Sequence, residues 1–227
     1  MAIVVIRPEP GHAATIAALE DAGLAARSLP FFVARALDWT PPDPKTIDAL
    51  LFTSAQGVRL AGPGLAGLAA RPVIAVGPAT AAAARAAGLS VVLTGDTDAA
   101  AVVATAHARG FERLLHLAGR DRVATGAMVR IVYAAEAVAI PLETVRSLAG
   151  EIVLLHSARA AARLAERVDA AGLARDTIAL VAISAKTAAA AGNGWRAVAL
   201  AEAPRDDAMI AAAQALTRTA ATGISGA

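Results

Sequence analysis

Short apolar runs alternate along the chain with longer, alanine-rich segments. The runs are rich in Val, Ile and Leu, as buried strands are, whereas the alanine-rich segments have the composition of helices. The runs predict strands at residues 2–6, 26–29, 49–53, 73–76, 91–93, 113–117, 129–133, 152–156, 179–183 and 197–200. Apolar strands separated by helices are typical of parallel sheets with helices on both faces. The predicted fold class is therefore α/β.

The order of these elements is repeated within the chain. DALLFTSAQ (48–56) resembles EIVLLHSAR (151–159), and VIAVGPATAAAARAAG (73–88) resembles LVAISAKTAAAAGNG (180–194). In each pair an apolar strand leads into a helix, and a strand, an acidic turn and a further helix follow in both halves. We therefore expect two similar lobes, each with its own parallel sheet.

The remaining segments match only if one half is circularly permuted relative to the other. The N-terminal strand at 2–6 then corresponds to the strand at 113–117, and each lobe has five parallel strands. The expected division is lobe one at 1–30 and 144–227, lobe two at 40–130, and a two-stranded β connector at 31–39 and 131–143. Two lobes on so thin a connection are expected to hinge around a ligand-binding cleft.

Charge and composition narrow the class of protein. The net charge is only +2, but 19 of the 21 basic residues are arginine, which favours contacts with carboxylates or phosphates. The arginines are scattered and only 3% of residues are aromatic, so nucleic acid is not an expected partner. No apolar run reaches the roughly 18–20 residues that span a bilayer, and no secretion signal is recognisable. We expect a cytoplasmic monomer that binds a small molecule and not a membrane.

Four hydroxyl side chains are predicted at helix starts that follow strands: Ser54, Thr80, Ser157 and Thr187. Ligands of open parallel sheets bind at the carboxyl ends of strands, where helix N-termini offer free N–H groups to anions. Each hydroxyl alone is better explained as a cap of its own helix. Four at matching places favour a shared ligand, although duplication of a stable fold also produces the pairing.

Arg7 and Tyr133 are the other candidates for contact with a ligand. Arg7 directly follows the first strand, where a guanidinium either binds an anionic ligand or pairs with a nearby acid. Tyr133 is the only tyrosine of the chain and lies where lobe two passes into the connector. Its simpler interpretation is a ring that packs against the connector and a hydroxyl that points outward.

Metal and nucleotide sites are not predicted. The four histidines show no metal-ligand spacing and are expected to be structural: His12, His107, His116 and His156. His156 precedes Ser157, but successive strand residues point to opposite faces, so we do not expect these two side chains to touch. The chain has no cysteine, no G-x-G-x-x-G and no Walker sequence. The acids Asp96, Asp98, Asp206 and Asp207 are interpreted as N-cap and first-turn residues.

Several of these segments together have a recognisable order. A strand ending in Arg7-Pro8 is followed by DALLFTSAQGV, VGPATA, VRIVYAAE, VLLHSARAA and AISAKTAAAA. In this order and spacing they resemble the uroporphyrinogen-III synthase family across nearly the whole chain. The resemblance implies two α/β lobes joined by a two-stranded connector.

The resemblance also implies an activity and its site. It implies cyclisation of the linear tetrapyrrole hydroxymethylbilane to uroporphyrinogen III, with loss of water, inversion of ring D and no cofactor. Tyr133 matches the family's tyrosine, which is proposed to assist departure of the hydroxyl group. Thr80 and Thr187 match its cleft threonines, and Ser54 and Ser157 match its cleft-facing helix starts.

Two other classes of protein stay open on the residues alone. One is a cytoplasmic binding protein whose two lobes close on a small anionic ligand without chemistry. The other is a two-lobed sugar or nucleotide transferase, against which the lack of a phosphate-loop sequence counts.

Overall fold

The structure, a computed structural model, describes residues 1–9, 11–96 and 98–224. The chain divides into two compact units. Unit 1 consists of Met1–Val33 and Ala137–Ala227, and unit 2 is the continuous segment Ala34–Glu136. Each unit contains one sheet and its own covering helices.

The described residues contain the following elements. The strands are β1 (Ile3–Val5), β2 (Ala26–Ser28), β3 (Phe32–Ala36), β4 (Ala49–Phe52), β5 (Val73–Ala75), β6 (Val91–Thr94), β7 (Leu114–Gly119), β8 (Met128–Ala137), β9 (Ile152–Leu155), β10 (Ala179–Ala182) and β11 (Ala197–Leu200). The α-helices are α1 (Gly11–Asp21), α2 (Ala55–Leu60), α3 (Pro78–Ala86), α4 (Ala99–Ala108), α5 (Leu142–Arg146), α6 (Ala158–Ala170), α7 (Ala185–Ala191) and α8 (Asp206–Ile224). Short 3-10 helices lie at Pro44–Thr46, Gly62–Leu68 and Arg175–Thr177. None of the helices in this described part combines the length and the apolar character needed to cross a membrane.

Both sheets are built from parallel strands, which confirms the predicted fold class. In unit 1 the strand order is β11-β10-β9-β1-β2, and every neighbouring pair is parallel. In unit 2 the order is β3-β8-β7-β4-β5-β6, and the five strands from β8 to β6 are parallel. Each strand predicted from the apolar runs is present, with bounds that differ by a few residues at most in all strands except β8.

The two sheets share one strand order under circular permutation. Placing β1 on β7, β2 on β8, β9 on β4, β10 on β5 and β11 on β6 superimposes the two orders. One clear difference is that α1 joins β1 to β2 whereas residues 120–127 join β7 to β8 without a helix. The sequence repeat therefore reflects a repeated topology in which one connection of unit 2 lacks its helix.

The core of unit 2 lies on both faces of its sheet because the central strand is apolar at every position. Leu50 and Phe52 point to one face, and Ala49 and Leu51 point to the other, since successive strand residues alternate. All four are fully buried. The first face packs against Val58, Leu68, Leu115 and Leu117, and the second against Ile74, Val102, Val103 and Leu114. Burying each large side chain contributes about 1.5–3 kcal/mol.

The chain leaves unit 1 after Val33 and returns to it at Ala137. The segments next to both points contact helix α6 of that unit. Arg163 and Arg167 donate Nη2 hydrogen bonds to the carbonyl oxygens of Val138 and Ile140, at 2.8 and 2.6 Å. The Arg159 guanidinium lies 4.5 Å from the centre of the Phe32 ring, a cation–π distance. These contacts fix both ends of the interruption in unit 1.

The ends of each unit lie close together. In unit 1 the Val138 amide donates to the Phe31 carbonyl at 3.0 Å, and in unit 2 Arg35 pairs with Glu136 at 3.3 Å. Strand β3 lies beside β8 at the edge of the six-stranded sheet. β8 itself is ten residues long, so the predicted strand at 129–133 and the start of the predicted connector segment are one continuous element.

Candidate functional site

Three predicted site residues follow neighbouring strands of unit 1. Arg7 comes just after β1, Ser157 just after β9, and Thr187 in the helix that follows β10. Because β10, β9 and β1 are adjacent and parallel, their carboxyl ends lie side by side at one edge of the sheet. Unit 1 therefore brings these three side chains to the edge at which parallel sheets bind ligands.

The Arg7 guanidinium is anchored by an acid at the start of α8. Its Nη1 donates to both carboxylate oxygens of Asp206, at 3.0 and 3.1 Å, and to Thr15 Oγ1 at 3.3 Å. Thr15 in turn donates to Asp206 Oδ2 at 2.6 Å. The pairing that we held open for Arg7 is thus present, and about 30% of each charged side chain stays exposed.

His12 hydrogen-bonds to the backbone of Arg7. The His12 ring contacts the Arg7 carbonyl oxygen through Nδ1 at 2.9 Å and Ser28 Oγ through Nε2 at 2.8 Å. A carbonyl oxygen only accepts, so Nδ1 carries the proton, and the ring ties the end of β1 to the end of β2. His12 is buried and has the structural role expected for it.

His156 is a buried imidazole beside the same ion pair. Its side chain is only 6% exposed, and its Nε2 lies 3.3 Å from Asp206 Oδ1 without hydrogen-bond geometry. Burial, aided by the positive charge of Arg7, lowers the pKa of His156 to about 4, against the opposing effect of Asp206. The ring is therefore neutral at pH 7, and no described contact joins it to Ser157, as expected.

In unit 2 the aromatic ring of Tyr133 packs against a glycine of the neighbouring strand. Tyr133 in β8 pairs with Gly119 at the end of β7, and a Cβ at position 119 would lie 2.7 Å from the Tyr133 ring carbon Cζ. Only a glycine leaves this space without displacing the ring. Within the described part of the chain, the Tyr133 hydroxyl has no hydrogen-bond partner, so it can donate to a ligand.

The two serines cap their helices, as the simpler interpretation held. Ser54 Oγ accepts from the Gln56 amide at 3.2 Å, and Ser157 Oγ accepts from the Ala160 amide at 3.2 Å. Each serine has the extended backbone typical of an N-cap. A capping hydroxyl uses its oxygen as an acceptor and retains its own proton for a further bond.

The two threonines do not cap their helices, so that interpretation was wrong for them. The N-cap of α3 is Gly77, with Pro78 as the first helical residue, and the N-cap of α7 is Ser184. Thr80 and Thr187 are each the third helical residue and are buried, at 5% and 3% exposure. Ser184 Oγ accepts from the Thr187 amide and lies 3.1 Å from its hydroxyl oxygen. The threonines thus belong to the inner face of the first helical turn.

A further buried histidine lies at the equivalent edge of unit 2. His116 in β7 contacts Thr53 Oγ1 through Nε2 at 3.0 Å and Thr125 Oγ1 through Nδ1 at 3.1 Å. Burial lowers the pKa of His116 to about 4, and the positive charge of Arg122 acts in the same direction. A neutral imidazole therefore ties the residue before Ser54 to the connection that lacks a helix.

Sequence reasoning missed the residues that surround Arg7. Asp206 does lie in the first turn of α8, as interpreted, but its carboxylate also binds a side chain 199 positions away. Thr15 was not singled out, because a threonine inside a helix gives no sequence signal of its own. The available signal was an unpaired arginine at a strand end, which requires an acid or a ligand.

The donor set of the described residues does not suggest a metal centre. No group of three or more His, Asp or Glu side chains within residues 1–9, 11–96 and 98–224 is arranged to hold a metal ion. His156 and Asp206 lie together, but the charged group beside this pair is the cation Arg7.

Comparison with known proteins assigns this fold and sequence to a family. The chain matches the family model described as uroporphyrinogen-III synthase HemD over residues 13–211, which is most of its length. No individual curated protein sequence matches it significantly.

Two solved structures with these names are similar to this chain to different degrees. A uroporphyrinogen-III synthetase from Helicobacter pylori has a TM-score of 0.65 at 17% identity, with 95% of this chain and 99% of that chain covered. A mutant uroporphyrinogen III synthase from Thermus thermophilus has a TM-score of 0.48 at 16% identity, with coverage of 98% and 100%. At such identities the first likeness shows the fold, and the family model carries the assignment. The chain belongs to the uroporphyrinogen-III synthase family.

Proposed function

We propose that this protein cyclises hydroxymethylbilane to uroporphyrinogen III, with loss of water and inversion of ring D, in tetrapyrrole biosynthesis. The observation that carries the proposal is the family match over residues 13–211, which spans both units. The shared fold with the Helicobacter pylori synthetase supports it. The enzyme is a cyclising lyase.

The reaction depends more on positioning of the substrate than on acid–base catalysis. The electron-rich pyrrole drives departure of the hydroxyl group from the hydroxymethyl carbon, so one hydrogen-bond donor near the leaving oxygen suffices. The terminal ring must then attack through its substituted carbon, which gives a spiro intermediate before ring D is inverted. Holding a flexible substrate with eight carboxylates in that pose is catalysis by orientation and electrostatics.

We propose that the Tyr133 hydroxyl is that donor. Its ring is fixed against Gly119, and within the described residues its hydroxyl has no competing partner. A donor to a leaving hydroxyl group binds more strongly as negative charge develops on the oxygen, so it stabilises the transition state more than the substrate. Tyr133→Phe is therefore expected to lower kcat and leave the fold intact.

We propose that the substrate carboxylates are bound at the carboxyl ends of both sheets. Arg7 supplies a cation, while Ser54 and Ser157 each retain a hydroxyl proton for donation after capping their helices. Thr80 and Thr187 occupy the first turns of their helices, near the free N–H groups that bind anions. The proposal assigns to each unit one set of donors, which explains why the chain repeats its strand-to-helix connections.

The remaining features of the proposal concern partners and location. The protein acts on a small-molecule substrate as a cytoplasmic monomer, without a cofactor and without nucleic acid. The scattered arginines and the few aromatic side chains support this, as does the absence of cysteine from the sequence. Full activity after exhaustive chelation, and a sedimentation mass equal to one chain, are the expected measurements.

The decisive experiment supplies enzymatically generated hydroxymethylbilane and separates the oxidised products by isomer. Without a catalyst this substrate closes to the uninverted isomer I, so isomer III reports on the enzyme alone. We expect isomer III from the native protein and a mixture richer in isomer I from Tyr133→Phe. Isomer I alone from the native, folded protein would exclude the proposed function. Isomer III at the native rate from Tyr133→Phe would remove Tyr133 from the mechanism and leave the function standing.

A further inference from the structure

The guanidinium of Arg7 is anchored at one end only. All its hydrogen bonds within the described residues are made by Nη1, which donates to Asp206 and Thr15. Nε and Nη2 have no partner in this part of the chain, although the side chain is only 29% exposed. These two atoms form the side-on edge with which arginine binds a carboxylate through two parallel hydrogen bonds.

A glycine makes room for this placement. A Cβ built on Gly11, the first residue of α1, would lie 2.2 Å from both Cζ and Nη2 of Arg7 and 2.6 Å from Nε. The guanidinium therefore lies against the backbone of the first turn of α1, in the space that any other side chain would occupy. The guanidinium is thus next to the first turn of α1, whose free N–H groups are of the kind that bind anions.

The Asp206 carboxylate forms an ion pair with Arg7. The other candidate cation beside it is His156, whose buried ring has no hydrogen-bond partner among the described residues and whose Nε2 lies 3.3 Å from Asp206 Oδ1. Because burial keeps this imidazole neutral at pH 7, it does not neutralise the carboxylate. Asp206 therefore lies beside two neutral groups, the His156 ring and the Thr15 hydroxyl, and pairs with the cation Arg7.

We propose that Asp206 is a positioning residue that, with Thr15, holds Arg7 so that its Nε and Nη2 edge binds one carboxylate of the substrate. This inference rests on the proposed function, since it assigns the class of group that Arg7 recognises. The acid lies on α8 and Arg7 lies after β1, so the site is assembled from the two ends of the chain. The Thr15 hydroxyl lies 2.6 Å from the carboxylate oxygen that Arg7 also contacts and 2.9 Å from the Gly11 carbonyl oxygen, so the shorter of its two contacts is with Asp206.

The kinetic test compares Asp206→Ala, Asp206→Asn and the neighbouring control Asp207→Asn. Asp207 lies in the same helical turn and contacts Arg205 and the Ala208 amide, and no described contact joins it to Arg7. Asp206→Ala is expected to raise KM for hydroxymethylbilane roughly tenfold, the scale of one charge-assisted contact, and to increase the isomer I fraction. Asp206→Asn, whose amide oxygen still accepts from Arg7 and Thr15, should fall between Asp206→Ala and the native protein. Asp207→Asn should match the native protein.

A double variant separates positioning from a general charge effect. If Asp206 acts through Arg7, then Arg7→Lys, which lacks the side-on edge, should add little to the defect of Asp206→Ala. Additive defects, or an equal defect in Asp207→Asn, would overturn the proposal in favour of a charge effect at the start of α8. Native KM and isomer ratio in folded Asp206→Ala would overturn it as well.

A binding measurement tests this carboxylate site independently of the proposed reaction. In protein labelled with 15N-arginine, the Nε resonance of Arg7 is assigned by its loss in Arg7→Lys and is followed during titration with propionate. We expect a saturable shift in the native protein and in Asp207→Asn, weakened at least severalfold in Asp206→Ala. No shift in a native protein that does make isomer III would refute the site alone. A shift in a protein that makes no isomer III would keep the carboxylate site and refute the proposed function.

Discussion

Lowering the pH from 7 to 5 should destabilise this protein through the buried imidazoles of His116 and His156. Burial lowers the pKa of His116 and of His156 to about 4, whereas a histidine in the unfolded chain has a pKa of about 6.5. The folded-state pKa is the lower one, so the unfolded state takes up the proton first as the pH falls. The stability is therefore fully present above about pH 6.5 and is lost progressively as the pH falls towards 4.

The size of the loss follows from the two proton-binding equilibria. At pH 5 an unfolded histidine is almost fully protonated, while a folded one with a pKa of about 4 is only about one-tenth protonated. The difference amounts to roughly 2 kcal/mol for each ring, or about 4 kcal/mol for both. Arg113 holds the pKa of Asp48 down at about 2, so that carboxylate titrates below this window.

The assay is urea unfolding of the native protein and of His116→Gln at pH 7, 6 and 5. Fluorescence distinguishes the units, because Trp39 packs against the core of unit 2 and Trp195 is buried in unit 1. His116→Gln should be less stable at pH 7, since it loses ring packing and its contacts with Thr53 and Thr125. Between pH 7 and 5 it should lose roughly 2 kcal/mol less than the native protein in the transition that Trp39 reports.

One result would refute this reasoning. If His116→Gln lost stability as steeply as the native protein between pH 7 and 5, the His116 ring would take up its proton over the same pH range in the folded and unfolded states. The same measurement on His156→Gln, followed through Trp195, tests the second ring on its own. Equal slopes in both variants would show that burial does not depress the pKa of either histidine.

Three further substitutions should change stability by defined amounts. Gly57→Ala should cost roughly 1–3 kcal/mol in urea unfolding, because a Cβ there would lie 2.7 Å from the carbonyl oxygen of Leu117, which is fixed in β7. Ser157→Ala should cost about 1 kcal/mol through loss of its helix cap, and Ser157→Asp should restore most of it. Arg175→Lys should lower Tm and red-shift the Trp195 emission, since the guanidinium stacks 5.1 Å from that ring and donates to nearby carbonyl oxygens.

The central strands could be predicted because they are buried on both faces. β4 and β9 are apolar at every position, a signal that parallel strands produce and that surface loops do not. The strand order of unit 2 relative to unit 1 also followed from the sequence, because the repeat fixed which strands correspond. The missing helix at 120–127 did not follow, since its segment kept the polar residues of a helix start.

The site could be predicted only in part. Ser54 and Ser157 were recognised as helix starts because capping is a local interaction between a hydroxyl and an amide two or three residues on. The sequence favours Thr80 as a cap, but the N-cap is Gly77, and the helix begins two residues before Thr80 at Pro78, where proline is favoured as the first helical residue. The contact between Arg7 and Asp206 depends on the packing of α1 against α8, which no local pattern encodes.

Because the ends of each unit lie close together, the two units could be separated into individual domains. Unit 1 is interrupted between Val33 and Ala137, yet the hydrogen bond between Phe31 and Val138 keeps the two broken ends in register as paired backbone. A tight turn in place of residues 34–136 would therefore close unit 1 into an uninterrupted chain with its strand order unchanged. Unit 2, whose own ends meet at Arg35 and Glu136, is in the same sense a removable insertion. The protein can thus be regarded as one domain inserted into the sequence of another. Either domain is a natural starting point for recombination into new two-domain proteins.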